Sequence, residues 1–244
     1  MRLTERVIIG LGDCANSQIV YDEYDSYRGD TLAMVPSTGV RDTITTLSDL
    51  QQRLGISQTQ SNTFFPEWSD GLPVLSLHEQ RAIDRIKQRY DYQRIDGLLL
   101  ESTINLVVTS PLLELLGFID PPFHLKSPYG IALALKDPTE TIRGFIDVLV
   151  LQERLWILTV ESKRTSISIP AAFPQLLAYL AANPQRPSPN YGMATNGDEF
   201  VFLKLGSDGE YDVSRSFSLF PRNHELGTVA QILKVLGQKV LASV

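Results

Sequence analysis

The sequence lacks the features that mark several large classes of protein. Cys14 is the single cysteine among 244 residues, which excludes an intrachain disulfide and a cysteine-rich zinc site and fits a reducing compartment. No apolar run approaches the roughly 18 residues that span a bilayer, and the first residues lack the apolar core of a signal peptide. We therefore expect a cytoplasmic protein.

Basic residues are not in excess, and no nucleotide-binding glycine motif is present. The chain carries 22 Lys and Arg against 28 Asp and Glu, a formal net charge of −6, so we expect no broad basic surface for nucleic acid. A nuclease is still compatible with this charge, because a metal site is itself acidic. No G-x-x-x-x-G-K-[ST] motif occurs, which excludes a P-loop motor within this sequence. The histidines are too dispersed to predict a metal cluster: His78, His124 and His224.

The hydrophobic content of 43% is that of an ordinary globular protein. Apolar periodicity and turn residues predict an α/β fold with a mixed central sheet flanked by helices and a C-terminal helix. We expect an N-terminal extension of uncertain fold over 1–75, a core over 76–205 and a C-terminal helical segment over 206–244. Predicted helices cover 46–54, 76–92, 97–108, 171–182 and 226–241. Predicted strands cover 6–11, 18–24, 130–135, 141–151, 155–163, 191–194 and 199–205, with a loop at 136–140.

Two carboxylates and a lysine are the most informative polar residues in the predicted strands. Asp147 interrupts an apolar run, where an unpaired carboxylate would be costly. Glu161 and Lys163 end the next strand and point the same way, because side chains alternate between faces. Two carboxylates beside a lysine can hold a hard divalent cation and activate water against a phosphodiester.

The length of the hairpin loop decides whether the two carboxylates share one side of the sheet. Only an odd loop places Asp147 and Glu161 on the same side. A three-residue loop over 152–154 pairs Leu151 with Leu155 and makes the two acids diagonal neighbours, about 7–8 Å apart at their backbones. A two-residue loop would place one carboxylate in the wrong layer.

The chemistry of each group suggests a role. Asp147 and Glu161 would ligate Mg²⁺ or Mn²⁺, with the backbone carbonyl of Ser162 as a further oxygen ligand. Lys163 would orient or help to deprotonate the attacking water, or stabilise developing negative charge. These residues alone leave another interpretation open, a polar hairpin end that carries a surface ion pair.

Three segments follow one another on the predicted elements: Ile146-Asp147, Glu161-Ser162-Lys163 and Gln175-Leu-Leu-Ala-Tyr179. They resemble the PD-(D/E)xK nuclease superfamily, and more narrowly the N-terminal nuclease domain of type I restriction enzyme R subunits. The segments 111–117 and 194–197 also resemble those subunits, so that the match covers about 98–205. The resemblance implies a restriction-endonuclease-like core with the element order αβββαβ. Ile146 stands where the motif has proline, which removes no ligand.

The resemblance also implies a site and an activity. Its catalytic residues would be Asp147, Glu161, Lys163, Gln175 and Tyr179. Many members of the superfamily carry a further acidic metal ligand on the helix before the sheet, a role that Glu101 could fill, although a plain surface glutamate is the alternative. Nearby basic residues are candidates for phosphate contact: Arg143, Arg164 and Lys126.

We therefore expect an Mg²⁺-dependent endonuclease that acts on DNA and works beside a separate motor or specificity subunit. The alternative is a catalytically silent DNA-binding or protein-interaction module that keeps the nuclease fold. An RNA or tRNA nuclease would use the same site chemistry, so the sequence does not separate it from a DNA nuclease. Oligomerisation is compatible with either function.

Overall fold

The computed structural model describes residues 38–135, 141–152, 155–183, 189–219 and 224–241. The strands predicted over 6–11 and 18–24 and the loop predicted over 136–140 lie outside these residues. No helix in the described ranges is both long enough and apolar enough to cross a membrane.

The elements follow one another along the chain in this order. The first half contains β1 (Thr38–Gly39), α1 (Val40–Thr43), α2 (Leu47–Leu54), β2 (Ser57–Gln58), a 3-10 turn (Pro66–Trp68), α3 (Leu77–Arg94), α4 (Glu101–Ile104), a π-helical turn (Asn105–Thr109) and α5 (Ser110–Leu115). Four strands follow: β3 (His124–Lys126), β4 (Tyr129–Ala134), β5 (Thr141–Ile146) and β6 (Val148–Gln152). The remaining elements are β7 (Leu155–Ser162), a 3-10 turn (Ile169–Ala172), α6 (Phe173–Ala181), β8 (Asn190–Thr195), β9 (Glu199–Leu205), β10 (Glu210–Val213), β11 (Phe217–Ser218) and α7 (Leu226–Leu241).

Eight strands form the central sheet. Its order is β2-β10-β9-β8-β7-β6-β3, and β11 pairs with β9 beside this path. The β7–β8 and β2–β10 pairs are parallel and the others are antiparallel. The predicted mixed α/β fold, with flanking helices and a C-terminal helix, is therefore confirmed. A second sheet has the order β1-β5-β4.

The two faces of the central sheet bury different helices. Val160 and Met193 face a core that is completed by α3, α5 and α7. Ala194 and Leu203 face a second core, which contains α6 and parts of α1, α2 and the three-stranded sheet. Alternation along β7 places Glu161 on this second face, because its neighbour Val160 points into the first core.

One predicted strand is in fact two. The sequence predicted a single strand over 141–151, but β5 and β6 belong to different sheets and separate at Asp147. Six residues of β5 pair with β4, whereas β6 pairs with β3 and β7. Apolar residues continue from the end of β5 into β6 on both sides of Asp147, so hydrophobicity gave no sign of the change of sheet.

The hairpin loop between β6 and β7 also differs from the prediction. Gln152 pairs with Leu155, so two residues connect the strands and the predicted three-residue loop is wrong. A register shift between Val150 and Leu151 adds one residue to β7. Such a bulge reverses the parity that a two-residue loop alone would impose. The carboxylate of Glu161 therefore keeps the orientation that the longer loop was expected to give it.

Helix starts were more predictable than sheet edges. Capping boxes at Thr46 and Ser76 begin α2 and α3, as Ser/Thr followed by an acidic residue three positions later favours. The helix predicted over 97–108 begins only at Glu101 and continues through the π-helical turn into α5. Several short strands were not predicted: β1, β2, β3, β10 and β11. Of these, β1 and β2 lie within 1–75, and β10 and β11 lie within 206–244.

A glycine allows α6 to approach the smaller sheet closely. A Cβ atom on Gly144 would lie 2.9 Å from Cε1 of Tyr179, 3.0 Å from its hydroxyl and 3.0 Å from a methyl group of Val40. Such distances are below normal van der Waals contact. Gly144 in β5 thus lets Tyr179 and α1 pack against the same point of the sheet.

We expect Gly144→Ala to lower the free energy of unfolding by about 1–3 kcal/mol, because the new methyl group must displace a buried tyrosine ring. Gly130→Ala is the matched control in the neighbouring strand, since its Cβ would lie 3.5 Å from the ring of Phe145, an ordinary contact. Urea denaturation of both variants measures the difference. Equal stability of the two variants would contradict the close packing of Tyr179 on β5.

Candidate active site

The ends of two strands bring the predicted acids to one place. Val148 pairs with Val160 in the β6–β7 ladder. Asp147 precedes the first of these residues and Glu161 follows the second, so both carboxylates lie next to the same pair. The backbone N–H of Lys163 donates to the carbonyl of Thr195, 2.7 Å away, which extends the pairing of β7 with β8.

Four of the predicted catalytic side chains form one buried hydrogen-bond chain. The ammonium group of Lys163 donates to Oε1 of Glu161 and, at 2.8 Å, to Oε1 of Gln175. The Nε2 of Gln175 donates to the hydroxyl of Tyr179 at 2.6 Å, across one turn of α6. All four residues are buried, and Glu161 has no exposed surface. Gln175 and Tyr179 therefore contact the site through Lys163.

Asp147 is held by the backbone of the opposite strand. Its Oδ2 accepts a hydrogen bond of 2.7 Å from the backbone N–H of Ser162. The hydroxyl of Ser127 donates to the backbone carbonyl of Asp147 at 2.6 Å. This carboxylate is only partly buried, so it lies at the opening of the cluster while Glu161 lies inside it.

Asn105 is a site neighbour that sequence reasoning missed. The hydroxyl of Ser162 donates to Oδ1 of Asn105 at 2.6 Å. Asn105 begins the π-helical turn between α4 and α5, and such turns occur frequently at functional sites. The amide in the apolar stretch 103–108 was a weak signal that this position needs a polar partner.

Arg41 is the second residue that the sequence did not reveal. Its Nη2 lies 3.3 Å from Oε1 of Glu161, and its side chain is 52% exposed. Arg41 comes from α1, about 120 positions before its partner in the chain. No spacing or motif connects the two residues, so this contact could not be predicted from the sequence.

Burial raises the pKa of both acids. Burial, together with the charge of Asp147, raises the pKa of Glu161 to about 7, even though Lys163 and Arg41 act in the opposite direction. Burial also raises the pKa of Asp147, with a smaller contribution from the charge of Glu101 and against the hydrogen bond from Ser162. A bound cation would favour the charged forms of both carboxylates.

The donor set fits a hard divalent cation. Oε2 of Glu161 is buried and accepts no hydrogen bond from a described residue, although its other oxygen binds two cationic side chains. A buried carboxylate oxygen without a partner is costly, and a metal ion or a proton would satisfy it. Asp147 and Glu161 are the residues that could hold such an ion.

Glu101, the additional metal ligand that the resemblance implied, does not join the two other acids. Glu101 lies at the start of α4 and acts on Asp147 through its charge. Within the described ranges, however, no three His, Cys, Asp or Glu side chains form a group that could hold a metal ion. Glu101 therefore does not converge with Asp147 and Glu161 in this conformation, and its role as a ligand stays a prediction.

The three basic residues predicted to contact phosphate are all exposed. Lys126 lies on β3, Arg143 lies on β5, and Arg164 lies two residues after the end of β7. In the part of the chain that the structure describes, none of them bonds to the buried chain of Glu161 and Lys163. Their contact with DNA stays a prediction.

The raised pKa of Glu161 predicts how the stability of the metal-free protein depends on pH. Between about pH 4.5 and about pH 7, Glu161 keeps its proton in the folded state and has lost it in the unfolded state. Stability therefore falls as the pH rises through this window, by up to about 3 kcal/mol from this group. Thermal melting in EDTA should show wild type losing stability relative to Glu161→Gln between pH 5 and pH 8. A difference that stays constant across this range would contradict the shifted pKa.

No protein-family model and no curated protein matches this sequence. The structure is similar to that of a fragment of a protein assigned as an HsdR subunit of a type I restriction enzyme from Vibrio vulnificus YJ016. The similarity has a TM-score of 0.36 with 18% sequence identity, and it covers 55% of this chain and 26% of that chain. This chain thus matches about a quarter of its relative's length, and the likeness concerns part of the fold only.

Proposed function

We propose that this chain is a divalent-metal-dependent endodeoxyribonuclease, of the type I restriction R-subunit nuclease type, that hydrolyses DNA phosphodiester bonds. The observation that carries the proposal is the buried carboxylate of Glu161. One of its oxygens binds Lys163 and the other has no hydrogen bond within the described residues. Beside it lies Asp147, a second acid whose pKa is raised. This donor set suits a hard cation and the hydrolysis of a phosphodiester.

Asp147 and Glu161 would hold Mg²⁺ or Mn²⁺. The bound ion would supply Lewis acidity and lower the pKa of a coordinated water. Asp147 is oriented for this task by the Ser162 N–H, and Glu161 by the ammonium group of Lys163. Both acids are thus positioned before any ligand binds, which is how protein sites reduce the cost of organisation during reaction.

Lys163 would act on the reacting phosphate or on the attacking water. Its side chain is buried, and Gln175 accepts a hydrogen bond from its ammonium group in addition to Glu161. A buried cation stabilises negative charge that develops in a transition state more strongly than an exposed one does. Tyr179 fixes the amide of Gln175, so both residues of α6 position the lysine.

We propose DNA as the substrate. We also propose a separate motor or specificity subunit as the partner, because this sequence contains no P-loop with which to drive translocation. The net charge of −6 also favours assistance from a partner in holding DNA.

A catalytically silent module that keeps the nuclease fold is the second candidate. The observation that favours it is the double ion pair on Oε1 of Glu161, since Lys163 and Arg41 already compensate this charge without a metal. A silent module would bind neither Mg²⁺ nor Mn²⁺ at Glu161, which calorimetric titration of wild type and Glu161→Gln would reveal. Metal binding that depends on Glu161 would exclude this candidate.

The nuclease proposal predicts that Lys163→Ala abolishes DNA cleavage, with a loss of at least about a hundredfold, because a charge-stabilising donor is removed from the site. The assay uses plasmid, linear duplex, single-stranded DNA and RNA with Mg²⁺, so that it also identifies the preferred substrate. Lys239→Ala is the matched control, because α7 packs on the opposite face of the sheet from Glu161. Unchanged cleavage by the Lys163 variant would reject the assignment.

Gln175 should behave as a positioning residue. Gln175→Ala removes the second hydrogen bond of Lys163, so we expect kcat to fall about 10–100-fold, as for other residues that orient a catalytic group. KM should change by less than about threefold, since Gln175 is buried and would not touch DNA. Steady-state kinetics on the preferred substrate separate the two constants. A rise in KM with unchanged kcat would assign Gln175 to substrate binding instead.

A further inference from the structure

Arg41 is fixed at the site by a short segment that precedes the nuclease core in the sequence. The two residues of β1 pair in parallel with Ile142 and Arg143 of β5. The next residue, Val40, is buried in the second core and lies close to Gly144. These contacts anchor the backbone immediately before Arg41, whose side chain reaches Glu161.

The guanidinium group lies between solvent and the buried acid. Arg41 is half-exposed, whereas its partner Glu161 has no exposed side-chain surface. The contact of 3.3 Å uses one terminal nitrogen, and an arginine has five N–H donors in a planar fork. Glu161 is the hydrogen-bond partner of Arg41 among the described residues. The other N–H donors belong to a side chain that is half-exposed and are therefore available to a ligand from solvent.

An exposed cation beside the two acids would favour the approach of an anionic substrate. Asp147 and Glu161 would repel a phosphodiester, and Lys163 is buried below them with only 6% of its surface exposed. Burial lowers the pKa of Arg41, but the surrounding acids raise it by more, so the guanidinium carries its charge within their combined field. These acidic groups are Glu161, Tyr179, Asp147 and Glu101.

An ion pair with Glu161 alone does not account for this arrangement. Lys163 already pairs with the same oxygen of Glu161, so Arg41 is a second cation on a charge that has a buried partner. A guanidinium fork matches the oxygens of a phosphate, which it binds through two parallel hydrogen bonds. The exposed donors of Arg41 suit such an anion.

We propose that Arg41 binds a non-bridging oxygen of the substrate phosphodiester at the opening of the Asp147–Glu161 site. The inference rests on the proposed nuclease function and extends it, because it assigns a substrate-binding residue to the segment before the predicted core. In the absence of substrate, Glu161 holds the guanidinium ready in place. On binding, the exposed N–H groups of Arg41 donate to the phosphate, while Lys163 keeps its bond to the buried acid.

The test measures DNA affinity rather than cleavage. Fluorescence anisotropy gives the Kd of a labelled DNA duplex in a buffer that contains Ca²⁺. A gel verifies that the DNA stays intact under these conditions. Loss of one phosphate contact lowers the slope of log Kd against log salt by about 0.9 for duplex DNA. We expect Arg41→Ala to show this change and to bind DNA about 5–20-fold more weakly near 0.1 M salt.

Two variants control for charge and for folding. Arg41→Lys keeps a cation and should retain most of the salt slope, although it loses the planar fork. Arg81→Ala removes the same charge from an exposed position on α3, which packs on the opposite face of the sheet, and its slope should match wild type. Thermal melting of each variant verifies that it is folded.

Calorimetric titration with Mn²⁺ distinguishes two possible roles of Arg41: binding the phosphate, or holding the carboxylates of Asp147 and Glu161 in place. Arg41→Ala should bind Mn²⁺ within about threefold of wild type, whereas Glu161→Gln should lose this binding. A loss of Mn²⁺ affinity in Arg41→Ala as large as that in Glu161→Gln would overturn the inference, because Arg41 would then organise the carboxylates.

Other outcomes also contradict the assignment of Arg41. An unchanged salt slope in Arg41→Ala, or an equal change in Arg81→Ala, would overturn it while cleavage by wild type left the nuclease function intact. If wild type neither binds nor cleaves nucleic acid, the proposed function fails, and the inference fails with it.

Discussion

The interaction on which the site depends is the contact between the buried carboxylate of Glu161 and the ammonium group of Lys163. An unpaired charge in a protein interior is strongly disfavoured, and the ion pair offsets part of the cost of burying these two groups. Gln175 accepts a second hydrogen bond from Lys163, and its own amide donates to the hydroxyl of Tyr179. The arrangement leaves one oxygen of Glu161 unsatisfied, and this oxygen makes the cluster a candidate for metal binding rather than a closed ion pair.

The fold brings these groups together by changing sheets at Asp147. The chain leaves the three-stranded sheet after β5 and enters the central sheet as β6. Asp147 lies between these two strands, outside the ladders formed by the described residues, and its carboxylate accepts a hydrogen bond from the Ser162 N–H. The same small sheet carries β1, which places Arg41 at the opening. The two sheets therefore supply different parts of one site. The central sheet positions Glu161 and Lys163, and the smaller sheet positions Arg41 at the opening to solvent.

The sequence predicted what local patterns encode. The helices that follow Thr46 and Ser76 and the amphipathic α7 were predicted close to their observed bounds, and the five candidate catalytic residues were named from a family resemblance that depends on their order on strands and a helix. Two geometric features were not encoded locally: the bulge in β7, which offsets the parity of the two-residue loop, and the change of sheet at Asp147. Arg41 and Asn105 reach the site only through tertiary packing, and no motif relates either of them to Glu161.

The central claim is that Asp147 and Glu161 together hold a divalent cation. Anomalous diffraction from crystals grown with Mn²⁺ tests it most directly, because the scattering of the ion locates it without reference to activity. We expect one strong anomalous peak between the two carboxylates in wild type and none there in Glu161→Gln. Crystals in which saturating Mn²⁺ leaves this position without a peak, while Lys163 and Arg41 remain bound to Glu161, would contradict the account.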